Sequence, residues 1–413
     1  MDSEWRELTL GEVTHWSSGG TPKKDVVEYW DGDIPWISAS SMNGTRFSDS
    51  NLRITEEGLK HGSRLAPKES VLLLVRGSSL HNRIPVGIAT RDVAFNQDVK
   101  ALQAKSEFIT PWYLLFWLMA HEKFLLESVV EYTGIGAGKL DTKRMQALPF
   151  LVPPKKIMGQ IDTFVKALDD QTILLRETNA TLEAMAQALF KSWFVDFDPV
   201  HANAGTRPAS LPPEVQALFP STFTETSQGL VPEGWTPGKV EDLLELAYGK
   251  ALKAADRTEG AIPVYGSGGI TGSHNQALVD GPSIVIGRKG TVGSLYWEDR
   301  PFFPIDTVFY VKTEKSLSFC FYLLQTLGLE GMNTDGAVPG LNRNNVYRLP
   351  IVTPCDAVFK AFDEAVAVIR GRIFTNNTHA QTLATLRDTL LPRLISGQLR
   401  LPDAEAVLAE AVA

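Results

Sequence analysis

The 413-residue sequence contains an internal repeat, which becomes visible when the chain is shifted against itself by 201 residues. Lys139–Pro153 then aligns without a gap on Gly340–Pro354, and both segments contain a Leu-Pro step followed by apolar residues. The register continues downstream, where Asp162 meets Asp363. Each copy of a repeat is expected to form the same supersecondary unit. We therefore predict two copies of one unit, each a globular region followed by a long helix.

The two copies also correspond upstream, at a larger shift. Gly32–Trp36 matches Gly260–Val264 at a shift of 228 residues, so the second globular region is expected to be shorter by almost thirty residues. Matching apolar segments predict buried strands at Val71–Val75 and Pro282–Gly287, and helices at Thr110–Lys123 and Leu317–Leu327.

After each globular region, apolar residues recur with gaps that alternate between four and three, the seam of a coiled coil held for four heptads. The seam positions are Ile161, Val165, Leu168, Thr172, Leu175, Asn179, Leu182, Ala186 and Leu189 in the first helix, and Phe362, Val366, Ile369, Ile373, Asn376, Ala380, Leu383, Leu386 or Arg387, and Leu390 in the second. Each helix is expected to span about 35 residues, or roughly 50 Å. Pro392 is expected to end the second helix, with Gly397 beyond it.

One asparagine interrupts each seam, Asn179 in the first helix and Asn376 in the second. A buried amide that lacks a hydrogen-bond partner costs stability. The two amides can satisfy each other if the helices run antiparallel in one register, and such polar pairs fix coiled-coil alignment. We predict that they lie near the same level and help to set the separation of the globular regions. The alternative is that both point to a wet edge of the seam.

The predicted fold is therefore α/β (α+β), with two similar domains joined by two long antiparallel coiled-coil helices and an internal pseudo-two-fold repeat. The predicted boundaries are 1–153 for the first domain, 154–200 for the first spacer helix, 201–230 for a linker, 231–354 for the second domain, and 355–413 for the second spacer helix and C-terminal tail.

Composition favours a soluble cytoplasmic protein. Hydrophobic residues make up 44% and charged residues 21% of the chain, as in ordinary globular proteins. No apolar run approaches the roughly 18 residues that a membrane-spanning helix needs, and the acidic N-terminus is unlike a signal peptide. The two cysteines, Cys320 and Cys355, have no histidines at the spacing of a zinc site. We expect no metal and no cofactor of the chain's own.

The net charge of −8 argues against a free-standing DNA-binding protein, because phosphate contacts usually require a basic surplus. Residues 1–153 carry 17 basic and 19 acidic side chains, and residues 231–354 carry 11 and 13. Either the positive charge is concentrated on one face of each region, or a partner subunit supplies most of the phosphate contacts.

Three segments approach catalytic motifs without completing them. Gly134–Lys139 resembles a phosphate-binding loop, but it is one residue short and Leu140 stands where Ser or Thr is needed. Phe197–Val200 lacks the second proline and the aromatic residue of a methyltransferase motif. Asp141–Lys143 has the Asp-x-Lys shape of a nuclease core, but its repeat copy Asn342–Asn344 keeps neither charge, which favours a capping role for Asp141. We predict no catalytic centre.

Two loops rich in cations and glycine follow equivalent predicted strands. The first begins Arg76-Gly77-Ser78, and the second is Gly287-Arg288-Lys289-Gly290-Thr291. An arginine flanked by glycine can approach a base edge closely and bind guanine through two hydrogen bonds. A solvated turn is the alternative for a single loop of this kind, but two loops at equivalent positions favour a function. Arg76 and Arg288 are predicted to contact bases.

Other polar residues near these loops suit contacts with phosphates or bases. Lys139 and Lys143 are predicted to contact phosphates, and Ser38 and Ser40 follow an extended segment rich in small donors. The full predicted DNA-binding set is Ser38, Ser40, Arg76, Ser78, Arg83, Lys139, Lys143, Arg144, Ser267, Arg288, Lys289, Thr291, Asn342, Arg343 and Asn344.

Together these segments resemble the specificity subunits of type I restriction–modification systems. The resemblance covers nearly the whole chain. It is carried by the openings Trp5–Leu8 and Trp235–Val240, the strand and loop Ile286–Gly293, the domain exits Leu148–Pro154 and Leu349–Pro354, and the helix endings Leu189–Phe197 and Leu390–Leu399.

The resemblance implies that each globular region is a target recognition domain, which reads one half of a split site in double-stranded DNA. The implied partners are DNA adenine methyltransferase subunits and ATP-driven restriction endonuclease (translocase) subunits, to which S-adenosylmethionine, Mg²⁺ and ATP would belong. Half-sites one turn apart lie about 34–36 Å from centre to centre, a distance that a helix pair of this length can hold.

Two other classes of protein share some of these features. A coiled-coil scaffold whose globular ends bind protein or carbohydrate would have no DNA affinity, even beside a methyltransferase. A fragment of a single-chain restriction–methylation enzyme is disfavoured by the incomplete catalytic motifs.

Overall fold

The structure is a computed structural model, and it describes residues 4–132, 137–332 and 340–412. The chain divides into two compact units. The first is Met1–Leu175 with His379–Ala413, and the second is Arg176–Thr378. Both divisions fall inside long helices, so each unit contains a segment of each helix. None of the helices in the described part of the chain combines the length and apolar character needed to cross a bilayer.

The globular part of the first unit consists of short strands and short helices. Its strands are β1 (Arg6–Thr9), β2 (Thr14–Ser18), β3 (Trp30–Ile37), β4 (Arg46–Phe47), β5 (Arg53–Ile54), β6 (Arg64–Ala66), β7 (Val71–Leu74), β8 (Arg76–Gly77), β9 (Val86–Ala89), β10 (Val93–Phe95), β11 (Val99–Ala104), β12 (Val130–Tyr132), β13 (Gly138–Leu140) and β14 (Pro149–Val152). Its helices are α1 (Leu10–Val13), α2 (Glu56–Gly62), α3 (Pro111–Ala120), α4 (Glu122–Ser128) and α5 (Thr142–Gln146). The helix predicted over Thr110–Lys123 is therefore two helices, which meet at His121.

Strand β7 lies at the centre of the first unit, in a sheet of order β2-β11-β7-β9-β4. Val71 and Leu73 pack into one hydrophobic cluster, with α3 and the long helices, whereas Leu72 and Leu74 pack into another, with Ile37 and other residues of the neighbouring sheet. Burial on both faces explains why this strand is an unbroken apolar run rather than an alternating one.

The rest of the chain follows the same plan. The first long helix is α6 (Lys155–Phe194), followed by α7 (Asp198–Asn203) and α8 (Pro213–Gln216). The later strands are β15 (Phe223–Thr226), β16 (Gly229–Pro232), β17 (Thr236–Lys239), β18 (Glu245–Tyr248), β19 (Ile262–Gly266), β20 (Gly269–His274), β21 (Ser283–Gly287), β22 (Leu295–Glu298), β23 (Phe303–Pro304), β24 (Val308–Lys312) and β25 (Pro350–Thr353). The later helices are α9 (Leu317–Thr326), α10 (Arg343–Tyr347), the second long helix α11 (Asp356–Ile395) and α12 (Leu401–Val412).

The repeat predicted from the sequence is visible in the sheets. The order β18-β24-β21-β22 in the second unit matches β2-β11-β7-β9 in the first. Entry and exit strands also pair alike, β1 with β14 and β17 with β25, both antiparallel. Among the described residues of the second unit, α2, β4 and β6 have no counterparts. Their absence accounts for much of the shorter length of the second globular region.

Residues 201–230, predicted as a linker, belong to the second unit and pack against α7 and the end of α6. The buried amide of Gln216 donates to the main-chain carbonyl of Pro199 at 2.6 Å and to the side chain of Asn203 at 2.7 Å. Phe219 packs edge-on against Trp193 near the end of the first long helix.

The two long helices are antiparallel within each unit, as predicted. In the first unit Asp169 on α6 meets Arg387 on α11, with an N–O distance of 3.3 Å. In the second, Glu183 meets Arg370 at 3.3 Å, and Phe190 packs against Phe362. Each helix has 40 residues, or about 60 Å, which is longer than expected.

The prediction that Pro392 ends the second long helix is wrong. Helix α11 continues through this proline to Ile395, and the carbonyl of Pro392 accepts from the N–H of Ser396 at 3.1 Å. A proline removes one hydrogen-bond donor near the helix end, and the other contacts of the last turn remain. Gly397, with φ of +73°, follows the helix end in the left-handed conformation that ends helices.

The two seam asparagines contact each other inside the second unit. The side-chain amide of Asn376 donates to Oδ1 of Asn179 at 2.8 Å, and Nδ2 of Asn179 donates to Oδ1 of Asn377 at 2.8 Å. Asn376 is 2% exposed, so its amide has been removed from water. The predicted same-level pairing is confirmed, and the alternative of a wet edge does not hold for Asn376.

A matching contact joins each domain to its long helix. In the first unit the hydroxyl of Thr110, which caps α3, donates to Asp162 on α6 at 2.5 Å. In the second, the hydroxyl of Ser316, which caps α9, donates to Asp363 on α11 at 2.6 Å. The two aspartates are the pair aligned by the 201-residue shift. Burial raises the pKa of Asp162 to about 6, although the Thr110 hydroxyl acts in the opposite direction.

We predict that the seam asparagines are strongly coupled. Asn179→Leu should lower the free energy of unfolding by about 1–3 kcal/mol, because the buried amide of Asn376 loses its acceptor. The double variant Asn179→Leu with Asn376→Leu should be close to wild type or more stable, because no polar group is left unpaired. Denaturant unfolding of four proteins, namely wild type, Asn179→Leu, Asn376→Leu and the double variant, gives the coupling energy. If the effects of the two single substitutions on the free energy of unfolding are additive, the contact is unimportant. Asn377→Ala, at the exposed end of the network, serves as the control.

A second prediction concerns pH. Because the pKa of Asp162 is raised on folding, the folded state retains a proton between about pH 4 and 6 that the unfolded chain releases, so this group destabilises the fold progressively as pH rises through that window. Asp162→Asn keeps an acceptor for Thr110 and removes the charge. Its stability advantage over wild type should grow from pH 4.5 to pH 7, by about 2 kcal/mol. Glu177→Gln, which removes an exposed carboxyl from the same helix, is the control. If the stability difference from wild type does not change with pH for either variant, the raised pKa of Asp162 is contradicted.

Candidate nucleic-acid interface

In the first unit, the end of the central strand carries two neighbouring cations. Strand β8, which begins at Arg76, follows β7 almost directly and pairs antiparallel with β13. This pairing places Arg76 directly opposite Lys139, and both side chains are exposed. Like charges facing each other across two strands are unfavourable for the fold itself. The arrangement therefore suits an anionic ligand better than a purely structural role.

The second unit has the same backbone pattern around Lys289. A β-bridge joins Lys289 to Gly340, which is the residue that the repeat aligns with Lys139. The N–H of Leu341 donates to the carbonyl of Arg288 at 2.8 Å, and the N–H of Leu140 donates to that of Val75 at 2.9 Å. The counterpart of Arg76 is thus Lys289, and Arg288 takes the place of Val75.

The sequence comparison matched Arg76 with Arg288, and the backbone register moves this match by one residue. Successive side chains of an extended segment point to opposite faces, so a shift of one residue reverses the direction of the side chain. Lys289 is exposed like Arg76, whereas Arg288 is half-buried and Val75 is 6% exposed.

Arg288 turns instead toward an aromatic side chain that the sequence analysis did not single out. Its guanidinium lies over the ring of Tyr248, 4.9 Å from the centroid, and its Nη1 donates to the main-chain carbonyl of Asp306 at 2.9 Å. The guanidinium of Arg343 also lies over Tyr248, at 5.0 Å, and over Tyr347 at 5.6 Å. The structure therefore brings together Arg288 and Arg343, two predicted site residues, on one half-exposed ring.

The predicted serines lie in equivalent loops of the two units. The loop containing Ser38 and Ser40 follows β3, and the two hydroxyls are 3.0 Å apart. The loop containing Ser267 follows β19, and its hydroxyl accepts from the N–H of Thr291 at 3.4 Å. Ser267 and Thr291 are therefore neighbours, at the turn that also carries Lys289.

The remaining predicted residues differ in their surroundings. Ser78 and Arg83 are exposed around a one-turn helix, Ser78–His81, and Lys143 is exposed on α5. Arg144 is already engaged, since it forms a 2.8 Å ion pair with Glu131 and donates to the carbonyl of Ser128. Its position makes it a brace between α5 and β12 as well as a surface cation.

Asp141 has the predicted capping role. Its carboxylate accepts from the N–H of Arg144 at 2.9 Å at the start of α5, and this hydrogen bond holds the pKa of Asp141 below its usual value. Its repeat copy, Asn342, caps α10 by accepting from the N–H of Asn344 at 2.9 Å. Within the incomplete phosphate-binding motif, Gly134, Ile135 and Gly136 lie outside the described residues, and Lys139 lies in a strand.

With this geometry established, comparison with known proteins identifies the family. The profile of the type I restriction modification DNA specificity domain matches residues 2–184 and 232–357, which is most of the chain and both of its repeats. The chain belongs to this family of DNA specificity proteins.

Named relatives and a solved structure agree with this membership. The chain is 22% identical to the specificity subunit of the type I restriction enzyme MjaIX of Methanocaldococcus jannaschii, over 98% of this chain and 95% of that one. It is 24% identical to the HindI specificity subunit of Haemophilus influenzae, over 96% and 100%. The EcoR124I/EcoR124II specificity subunit of Escherichia coli is 34% identical over 39% and 40%. The fold resembles that of the type I S subunit from M. genitalium, with a TM-score of 0.55 and 15% identity over 95% and 96%.

The predicted family and the prediction of a non-catalytic recognition subunit are confirmed by this membership, since the relatives are named specificity subunits of type I restriction enzymes. The interpretation as a carbohydrate- or protein-binding scaffold is not favoured.

The capping role of Asp141 leads to a prediction that separates it from a catalytic carboxylate. Asp141→Asn keeps the capping acceptor and should leave DNA binding, methylation and restriction by the assembled system unchanged. Asp141→Ala removes the cap and should lower the thermal midpoint slightly. Loss of restriction in the asparagine variant, with folding intact, would instead support a nuclease role for Asp141–Lys143.

Proposed function

We propose that this specificity protein reads a bipartite sequence in double-stranded DNA, with one half-site for each target recognition domain. The observation that carries the proposal is the cation that stands at the end of the same buried strand in both units, Arg76 in the first and Lys289 in the second. A strand buried on both faces is a rigid base for a recognition side chain, and rigid placement is what discrimination between bases requires.

The residues around each cation suit supporting contacts. Lys139 lies opposite Arg76 on the paired strand, and Lys143 lies on the short helix α5 that follows. Both side chains can contact phosphates. Hydroxyl and amide side chains near Lys289, those of Ser267, Thr291, Asn342 and Asn344, can donate to phosphates or base edges. The same contacts with phosphates or base edges are proposed in the first unit for Ser38, Ser40, Ser78 and Arg83.

The proposed partners follow from the names of the relatives, which are specificity subunits of type I restriction enzymes. We propose that this chain assembles with DNA adenine methyltransferase subunits and with endonuclease (translocase) subunits in the cytoplasm. The chemistry and its cofactors would belong to those partners. A net charge of −8 fits a chain that shares its phosphate contacts with other subunits.

The proposed boundaries are those drawn from the sequence, with target recognition domains at 1–153 and 231–354, and with the helices between and after them as spacers. The contact between Asn179 and Asn376 is proposed to fix the helix register and, through it, the number of bases between half-sites.

Domain exchange tests the proposal. Replacing residues 1–153 with the corresponding region of a relative of different specificity should change one half of the methylated motif and leave the other half and the gap intact. Motif sequencing of genomic DNA from cells carrying each version gives the answer. A change in both halves, or in neither, would contradict the modular reading.

Single substitutions test the strand-end cations. Arg76→Ala and Lys289→Ala should each relax the base preference at one position, in opposite halves of the site, at a cost of about 1–3 kcal/mol in cognate binding. Lys139→Ala is the matched control in the first unit, and it should weaken cognate and mismatched duplexes alike. Uniform loss in the Arg76 and Lys289 variants would show that they do not read bases.

A further inference from the structure

We propose that Tyr248, Arg288 and Arg343 form a DNA phosphate-binding site in the second target recognition domain, so that Arg288 binds the DNA backbone and does not contact a base. The inference rests on the proposed function. Within that function it gives Tyr248 a part in phosphate binding and changes the partner of Arg288 from a base to a phosphate. Its starting point is the pair of guanidinium groups that lie over one tyrosine ring, at 4.9 and 5.0 Å from the centroid.

The charge of this cluster is uncompensated. Neither Arg288 nor Arg343 forms an ion pair with a carboxylate among the residues that the structure describes, in contrast to half-buried Arg46 and Arg387, which both pair with Asp169. Two positive charges near one another repel, and the repulsion grows where water is partly excluded. An anion placed against both groups would relieve it.

The geometry leaves donors free for such an anion. Arg288 uses Nη1 on the carbonyl of Asp306, and Arg343 directs Nη1 toward the carbonyl of Leu246 at 3.5 Å. An arginine has five N–H donors in a planar fork, so each guanidinium keeps further donors after this contact. Stacking on Tyr248 and the carbonyl contacts fix the planes of the forks, and this suits the two oxygens of a phosphodiester.

The location also distinguishes Arg288 from a base reader. By the backbone register, the side chain in the place of Arg76 is that of Lys289, and Arg288 stands in the place of buried Val75. The first domain lacks the cluster, because the counterparts of Tyr248 and Arg343 there are Ser18 and Thr142. The second domain thus has an extra backbone contact that the first one does not have.

Salt dependence provides the test. The purified complex of this chain with its methyltransferase subunits is titrated against a cognate duplex and against duplexes with one altered base, from low to moderate salt. Each phosphate contact contributes about 0.9 to the slope of log K against log salt. Arg288→Gln and Arg343→Gln should each reduce the slope by about that amount and weaken all duplexes by the same factor. Arg288→Lys and Arg343→Lys keep the charge and should retain the slope.

Two controls make the result specific. Lys312 lies over the ring of Tyr310, at 5.7 Å, at the opposite end of strand β24, so Lys312→Gln removes a similar cation–aromatic pair and should leave the slope unchanged. Tyr248→Phe should keep the stack, whereas Tyr248→Ala should release both arginines and reduce the slope. Thermal unfolding shows which variants remain folded, and the slope of Tyr248→Ala decides the matter if a glutamine variant does not fold.

Different outcomes would contradict the phosphate-binding site and the proposed function. If Arg288→Gln keeps the slope and loses discrimination at one base pair, Arg288 reads a base and the inference is wrong. If Lys312→Gln lowers the slope as much as the cluster variants do, the cluster is not a defined site. If the wild-type complex shows no preference for its cognate duplex, the proposed function itself fails.

Discussion

The antiparallel seam between the two 40-residue helices is the interaction on which the rest of the structure depends. Because the helices run in opposite directions, the start of one and the end of the other belong to the same unit. Seam residues join the core of each unit, Ile161 and Leu383 in the first and Ala186 and Phe362 in the second. Loss of the seam would therefore remove part of the core beneath both recognition domains, and apolar packing alone does not determine its register.

Register is specified by polar groups inside the seam. Asn179 and Asn376 can pair only at one level of the seam. On either side of them, the partly buried ion pairs Asp169–Arg387 and Glu183–Arg370 are broken if the helices slip. Buried polar pairs add little net stability compared with apolar packing, but an unpaired buried charge is costly. The seam therefore combines apolar residues that provide affinity with polar pairs that penalise every wrong alignment.

The two copies of the repeat use the same position of the long helix in different ways. Asp169 in the first unit accepts from Thr45 and Arg46 at the edge strand β4, in addition to Arg387. Its repeat copy is Arg370, which packs over the rings of Trp297 and Phe321. The described part of the second domain has no counterpart of β4, so an aromatic surface replaces the polar edge.

Much of this architecture could be predicted from the sequence, because periodicity and repetition report directly on backbone structure. The 201-residue shift identified Asp162 and Asp363, which occupy matching contacts, and the broken seam identified the asparagine pair. The match of Arg76 with Arg288 was one residue off, because an alignment of two short loops does not fix the residue-by-residue register. The register follows from the strand pairings of Arg76 and Lys289 and from the hydrogen bonds of Leu140 and Leu341. Tyr248 was missed because nothing in its local sequence signals that two distant arginines converge on it.

The most direct measurement of the central claim is methylome sequencing of a host that carries the whole operon, with and without this gene. The account predicts methylated adenines in one motif of two specified halves separated by a fixed number of unspecified bases, and loss of that motif on deletion; a continuous motif, or methylation that persists without the gene, would contradict it.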